Sequence, residues 1–520
     1  MKNLITLYFT LLLLSSCQTK EIESWNLIPY PNSISYCAGN FSFKNGITFL
    51  SSDSCLNQTV FLFKERFKDF DIVTDDKSIE TIELMLVDSC KIKSEAYELV
   101  VNKKRITLTA SDAHGIFYGL MTIWQELKFS NRKTIPCGTI KDEPRFEYRG
   151  YMLDESRHFF GKEKVKKIID IMAMFKLNKF HWHLTDEHGW RIEIESLPKL
   201  TTIGGIGDYT NQRGKAKYYT QDEIREVVKY AKERFIEIIP EIDMPGHASA
   251  ANRAYPEYSG GGSDKHPDFT FDVGKETTYT YLNTILEEVA QLFPSKHIHL
   301  GGDEVHYGNN KWKMNDSIQL LMKREKLKTP LDVEHYFMRR MANYLFEINK
   351  GIAGWDEIVD SGIGNETALV YWWRHDKVEQ LQKALDKEFQ IVLCPRLPLY
   401  FDFVQYEKDS VGRRWGDIFG TINDVYNYPD DVHEFSEKEI VLIEGLQGNL
   451  WTETVKSSRR FDYMTFPRII ALSESAWTKK KNKDISRFHE NLPMVFKFLN
   501  EESIYYFNNL NPREHKEPIY

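Results

Sequence analysis

From residue 148 onward the apolar positions switch repeatedly between two periods. Short runs alternate apolar and polar, or are apolar throughout. They stand at 148–153, 178–184, 236–242, 297–301, 351–355, 368–373, 389–393 and about 442–450. Such runs read as strands. Between them apolar residues recur at helical spacing, as in Val165, Ile168, Ile169 and Met172, or Ile224, Val227, Val228 and Ala231, with a last helix around 462–473. Eight strands with intervening helical segments predict a (β/α)₈ barrel of the α/β class.

The earlier part of the chain has a different rhythm. The runs 97–101 and 106–110 flank the polar turn 102–105 and predict a hairpin. Phe117, Leu120, Met121 and Trp124 recur at i, i+3, i+4 and i+7 after Ser111-Asp112, which predicts an amphipathic helix with an N-terminal cap. A small α+β domain over 25–143 is therefore expected before a barrel over 144–500, with 501–520 as a tail. The boundary falls near the charged stretch that ends in Pro144.

Composition narrows the functional classes. The 520 residues are 42% hydrophobic and 28% charged, with a net charge of −8 and no long basic run. That balance is globular and argues against nucleic acid as a partner. Eleven Trp and 27 Tyr suit flat apolar ligand faces such as sugar rings. The first residues pair Lys2 with an apolar run from Leu4 to Leu14, followed by Ser15-Ser16-Cys17. This looks like a bacterial lipoprotein signal over 1–17, with lipid on Cys17, and implies a body tethered at the cell envelope. Cys37, Cys55, Cys90, Cys137 and Cys394 are sparse and lack Cys-x-x-Cys spacing. They read as small buried apolar residues with at most one or two bridges in the first domain.

Barrel enzymes place their chemistry at the C-terminal ends of the strands. Reactive or aromatic residues follow every predicted strand here. Asp154 and Arg157 follow the first, Asp186 the second, Asp243 and His247 the third, and Asp303 with Glu304 the fourth. Trp355 ends the fifth and Trp373 the sixth, Tyr400 and Asp402 follow the seventh, and Trp451 and Glu453 the eighth. Gly301-Gly302 before the acidic pair permits a sharp backbone path. His181 and His183, two apart on a strand, face one side and could form a metal pair, although hydrogen bonding inside the barrel mouth is the more economical use. No metal and no other cofactor is expected.

These residues lie in motifs that resemble those of the family 20 glycoside hydrolases, the β-N-acetylhexosaminidases. The motifs are 149–154 running into Arg157-His158-Phe159, then 181–186, 240–247, 299–304 and 450–453, in the family's order. The resemblance implies Glu304 as general acid, Asp303 on the substrate's acetamido nitrogen and Tyr400 on its carbonyl oxygen. It places Arg157 and Asp186 near the ring hydroxyls and Asp402 and Glu453 among the substrate contacts. Trp355, Trp373 and Trp451 would wall the sugar, and Asp243 and His247 would support Glu304.

The adjacency of Asp303 and Glu304 has its own reading. A retaining glycosidase with two catalytic carboxyls needs them about 5 Å apart on opposite sides of the bond. Neighbours on an extended strand point opposite ways and are badly placed for that. One acid, with the substrate's acetamide as nucleophile, suits the sequence better. Burial of Glu304 among tryptophans would raise its pKa for this work. An exo-acting retaining enzyme on terminal β-linked N-acetylhexosamine of a glycan is thus expected. The alternatives are a non-catalytic binder of N-acetylated glycans and a metal hydrolase built on His181, His183 and Asp243. Oligomeric state and gluco versus galacto preference are not set at this level.

Overall fold

The structure is a computed structural model and describes residues 24–75, 77–88 and 92–519. Cys17, the expected signal segment and Cys90 lie outside the described residues.

The first unit is a six-stranded mixed sheet. In chain order its strands are β1 (Ser33–Ser42), β2 (Thr48–Ser51), β3 (Thr81–Leu86), β4 (Tyr97–Val101), β5 (Arg105–Ala110) and β6 (Thr134–Asp142), and they lie side by side as β1-β6-β4-β5-β3-β2. The expected hairpin is β4–β5, with Tyr97 opposite Ala110 and Val101 opposite Ile106. Helix α1 (Asn57–Phe67) and helix α2 (Ala113–Ser130) accompany it. The Asp112 carboxylate caps α2 by accepting the Gly115 amide at 2.8 Å.

Helix α2 departs from the expected amphipathic pattern, because every residue from Gly115 to Leu127 is buried. One face lies on the sheet; a Cβ at Gly119 would come within 2.2 Å of Leu108, so only glycine permits the approach. The other face meets the barrel, with Phe117 against Phe235 at 5.1 Å and Tyr118 against Trp477 at 5.2 Å. At the same junction the buried Asp142 carboxylate accepts from Tyr97, Trp477 and the Lys176 ammonium, the last at 2.8 Å. Arg149, from the first barrel motif, is also structural. It donates to the carbonyls of Lys176 and Phe146 at 2.7 and 2.8 Å.

The second unit is a closed barrel of eight parallel strands. They are β7 (Tyr148–Asp154), β8 (Lys179–His183), β9 (Glu237–Glu241), β10 (His297–His299), β11 (Gly351–Trp355), β12 (Ala368–Trp372), β13 (Gln390–Leu393) and β14 (Ile443–Leu450). β14 pairs with β7 to close the ring. The helical crossover is incomplete at one place: between β11 and β12 there is only the 3₁₀ turn Asp356–Asp360. This connection is at the short end of what a parallel crossover takes, and it carries a 3₁₀ turn in place of an α-helix.

The alternation in β10 works as expected. Ile298 and Leu300 join the outer core, while His299 points inward. Cys37 and Cys55 are exposed, contrary to the expectation of burial, and Cys137 and Cys394 are buried free thiols. Cys37 lies on a strand whose burial pattern is almost entirely exposed. Among the described residues no helix is long and apolar enough to cross a membrane. A cavity of about 720 Å³ opens at the N-terminal end of the barrel, where Lys179, Glu237 and His297 line it, far from the strand ends that carry the site residues.

Candidate active site

The floor of the site is a charged network inside the barrel. Glu241, at the end of β9, has no solvent exposure. Its oxygens lie 3.0 Å from His181 Nε2, 2.5 Å from His183 Nδ1 and 3.0 Å from His299 Nδ1, and Trp355 Nε1 donates to it at 2.9 Å. Burial opposes its charge, yet the surrounding imidazoles hold its carboxyl well below the usual range. His183 lies between Glu241 and Asp186, with Nε2 2.9 Å from Asp186 Oδ2. Burial disfavours its imidazolium, but the two carboxylates outweigh that and keep it charged. Burial, by contrast, pushes His181 down to about 4. His183 thus bonds Glu241 and Asp186 through its two ring nitrogens, and His181 meets Gln447 through Nδ1 at 3.1 Å.

Asp186 joins this floor to the pocket. It accepts from His183, from Arg157 at 2.8 Å and from His247 Nδ1 at 3.0 Å, and it is 2% exposed. Expected among the substrate contacts, it has both oxygens committed to protein partners. Its role in this geometry is to position Arg157 and His247. The other nitrogen of His247 faces the acidic pair, 3.6 Å from Asp303 Oδ2 and 3.8 Å from Glu304 Oε2. Burial works against the His247 imidazolium, and Asp186, Asp243 and Asp303 together overcome it.

The turn that carries Asp303 and Glu304 is left-handed, with φ of +66° at Gly301, +89° at Gly302 and +54° at Glu304. The backbone is therefore not extended, and the two side chains do not point opposite ways as expected. They converge on one imidazole. A Cβ at Gly301 would sit 1.9 Å from Asp243 Oδ1, so glycine is required to admit that carboxyl beneath the turn. A left-handed Glu304 carries a conformational cost that the surrounding packing must hold. Burial, with the neighbouring Glu304 charge, pushes Asp303 up to about 7 against the pull of His247. Burial, with the Asp303 charge beside it, drives the Asp243 carboxyl well above the usual range, against the pull of His247. Glu304 is not enclosed by tryptophans as expected. Its side chain is 29% exposed, and its charge pushes the neighbouring Tyr307 hydroxyl, which the sequence did not single out, above its ordinary pKa.

Four aromatic side chains gather above the floor. Trp373 and Tyr400 lie nearly parallel with centroids 6.3 Å apart, and Trp451 meets Tyr400 at 6.1 Å and Trp355 at 5.8 Å. Trp372 faces the outer core, as alternation requires. Trp355 was expected to wall a ligand, but at 1% exposure with its Nε1 on Glu241 it supports the cluster from below. Trp373 Nε1 donates to Glu357 at 3.1 Å, which fixes that ring. The Arg157 guanidinium sits 5.0 Å from the Trp451 ring centroid.

Beyond Trp451, Asp402 and Glu453 share an arginine that the sequence reading missed. Arg413 Nε lies 3.0 Å from Asp402 Oδ2, and its Nη2 pairs with Glu453. Burial pushes Asp402 up to about 7 despite Arg413. Burial also opposes the Glu453 charge, but Arg157 and Arg413 lower its pKa overall. No local spacing marks Arg413, because it sits in the long polar stretch after β13. Trp415, in the same stretch, packs on Arg396 at 4.6 Å and keeps 41% of its surface exposed.

A parallel barrel with carboxylates, an arginine and clustered indoles at its strand ends defines a glycoside hydrolase of the barrel class. The comparisons agree. The family model "Glycosyl hydrolase family 20, catalytic domain" matches residues 146–480, and "Glycosyl hydrolase family 20, domain 2" matches 24–143. The chain belongs to glycosyl hydrolase family 20. It is 34% identical to a beta-hexosaminidase of Vibrio furnissii, over 90% of this chain and 79% of that protein. It is 33% identical to one from Porphyromonas gingivalis over 89% of this chain, and spans 62% of that relative's length. Among solved structures, an exo β-N-acetylglucosaminidase of Vibrio harveyi in complex with N-acetylglucosamine superposes with a TM-score of 0.82 at 30% identity, covering 93% of this chain and 78% of that one. A β-N-acetylhexosaminidase of Bacteroides fragilis gives a TM-score of 0.81 at 28% identity, covering 93% and 97%.

Proposed function

We propose that the protein is an exo-acting, retaining β-N-acetylhexosaminidase that removes terminal β-linked GlcNAc or GalNAc from glycans with the help of the substrate's own acetamide. One observation carries the mechanism: the neighbouring acids have unlike settings, Asp303 being buried beside Asp243 and His247 while the Glu304 side chain is 29% exposed. An enclosed carboxyl beside a more exposed acid suits a mechanism in which one acid serves the leaving group and the substrate's acetamide, not a protein carboxylate, attacks. The acetamide oxygen, held near the anomeric carbon, supplies the attacking pair, and the C1–leaving-oxygen bond breaks as the new C1–O bond forms. Glu304 gives its proton to the leaving oxygen, then takes one from the water that opens the oxazolinium.

Asp303 accepts the acetamido N–H. Burial and the Glu304 charge push its pKa up to about 7 and make its own charge costly. It becomes favourable as positive charge grows on that nitrogen, so the stabilisation is concentrated in the transition state. Tyr400 holds the acetamide oxygen; Trp373 and Trp451 flank the sugar; Arg157, Asp402 and Glu453 take the far hydroxyls. The test compares an aryl N-acetyl-β-glucosaminide with the matching glucoside. Turnover should depend on the acetamide by roughly 10³-fold or more, and the first product should keep the β configuration. Equal turnover, or an inverted product, overturns the reading.

The lipoprotein-like residues 1–17 support a further proposal, that lipid on Cys17 tethers the enzyme at the cell envelope. Labelled fatty acid should enter the wild-type protein in cells and not Cys17→Ser, which should leave the membrane fraction.

A further inference from the structure

We infer that Glu517, in the segment that follows the last helix (Ile485–Glu501), is a positioning residue for substrate binding, acting through Arg413 on Asp402 and Glu453. The inference rests on the proposed placement of those two carboxylates at the sugar's far hydroxyls.

The chain of contacts is continuous. The Glu517 carboxylate accepts the Ser410 amide at 2.6 Å, the Ser410 hydroxyl at 2.8 Å and the Val411 amide at 2.9 Å. Arg460, which has no solvent exposure, backs it with Nη1 at 3.1 Å and donates to the Val411 carbonyl at 2.6 Å and the Pro518 carbonyl at 2.8 Å. Two residues further on, the loop rejoins the site. The Arg413 amide donates to the Asp402 carbonyl at 3.0 Å, and Val404 donates to the Arg413 carbonyl at 3.1 Å. The guanidinium then reaches both acids.

Charge-assisted bonds to a carboxylate are stronger than neutral ones. Glu517 makes one such bond to each of two successive backbone amides, so it sets the path of the loop and not only its location. The Arg413 side chain is 47% exposed, and the two acids and the bonds of its own backbone hold it in place. If the loop moves, the arginine moves with it. Asp402 and Glu453 then lose the cation that orients them and offsets their mutual repulsion.

The test is a double-mutant cycle on an aryl N-acetyl-β-glucosaminide, with melting temperature read alongside. Glu517→Ala should raise KM roughly 5- to 20-fold and change kcat less than about twofold, since binding and not chemistry is disturbed. Arg413→Ala should raise KM at least as much. In the Arg413→Ala background, Glu517→Ala should add nothing. Glu517→Gln keeps an acceptor oxygen for the amides, should fold where Glu517→Ala does not, and should give an intermediate KM. An unchanged KM for both Glu517 variants overturns the inference, as does multiplication of the two effects in the double variant. Asp402→Ala and Glu453→Ala separate the layers. If they leave KM unchanged, the site reading itself fails. If they raise it while the Glu517 variants do not, only the link through Glu517 fails.

Discussion

At the scale of single residues, the two adjacent acids differ in their surroundings, and the proposed division of labour between them rests on that difference. Asp303 is enclosed, backed by Asp243 and faced by His247. Glu304 reaches solvent and meets Tyr307. Glu304→Gln should lower kcat by about 10²- to 10⁴-fold on glycans with poor leaving groups, and much less on aryl substrates whose phenolate leaves unaided. Steady-state kinetics on both substrates checks this; an equal loss on both would remove the acid role. The motif residues were all legible in the sequence, but their partners were not. His247 and Asp186 stood out by spacing, whereas Tyr307 and Arg413 carry no spacing signal.

At the scale of elements, the turn after β10 and the helix Pro330–Glu347 are the informative pieces. The glycines before the acidic pair were readable as a break, but the left-handed path of Glu304 was not, and the argument from an extended strand fails for that reason. The helix holds Glu334, 6% exposed, whose carboxyl burial pushes up to about 8. An unfolded Glu titrates near 4.3. Below that pH both states are protonated and Glu334 costs nothing; as pH rises toward 8 the unfolded state releases its proton and the folded state does not, so stability falls. Glu334→Gln should therefore leave stability nearly unchanged at pH 4.5 and raise it by up to about 5 kcal/mol at pH 8.5. Denaturant unfolding at the two pH values checks the sign.

At the scale of the whole molecule, helix α2 and the Asp142 cluster join the two units into one body. Asp142 and Lys176 are buried at 2.8 Å, so removing one strands the other. Asp142→Ala should destabilise the protein by about 3–5 kcal/mol. Thermal unfolding should still show a single transition if α2 couples the units, and two separated transitions would show that it does not. The eight-strand barrel was predictable from periodicity alone, because each strand lies between a packed interior and a helical layer. The missing fifth helix was not, since the 3₁₀ turn Asp356–Asp360 has enough apolar residues to pass for a short helix. The full burial of α2 was also hidden, because one helix face had a visible apolar stripe and the other is covered only once the barrel is built.

The amino-acid sequence by itself determined the order of elements and that acids, an arginine and indoles stand at the ends of the barrel strands. Those are properties of spacing and side-chain type, and both are local. Only the tertiary structure decided which acid is enclosed, that Asp186 is spent on Arg157, His183 and His247, that Trp355 lies beneath the pocket, and that Glu517 and Arg413 stand behind the far carboxylates. These depend on desolvation and on contacts between residues tens to hundreds of positions apart, which no local pattern encodes.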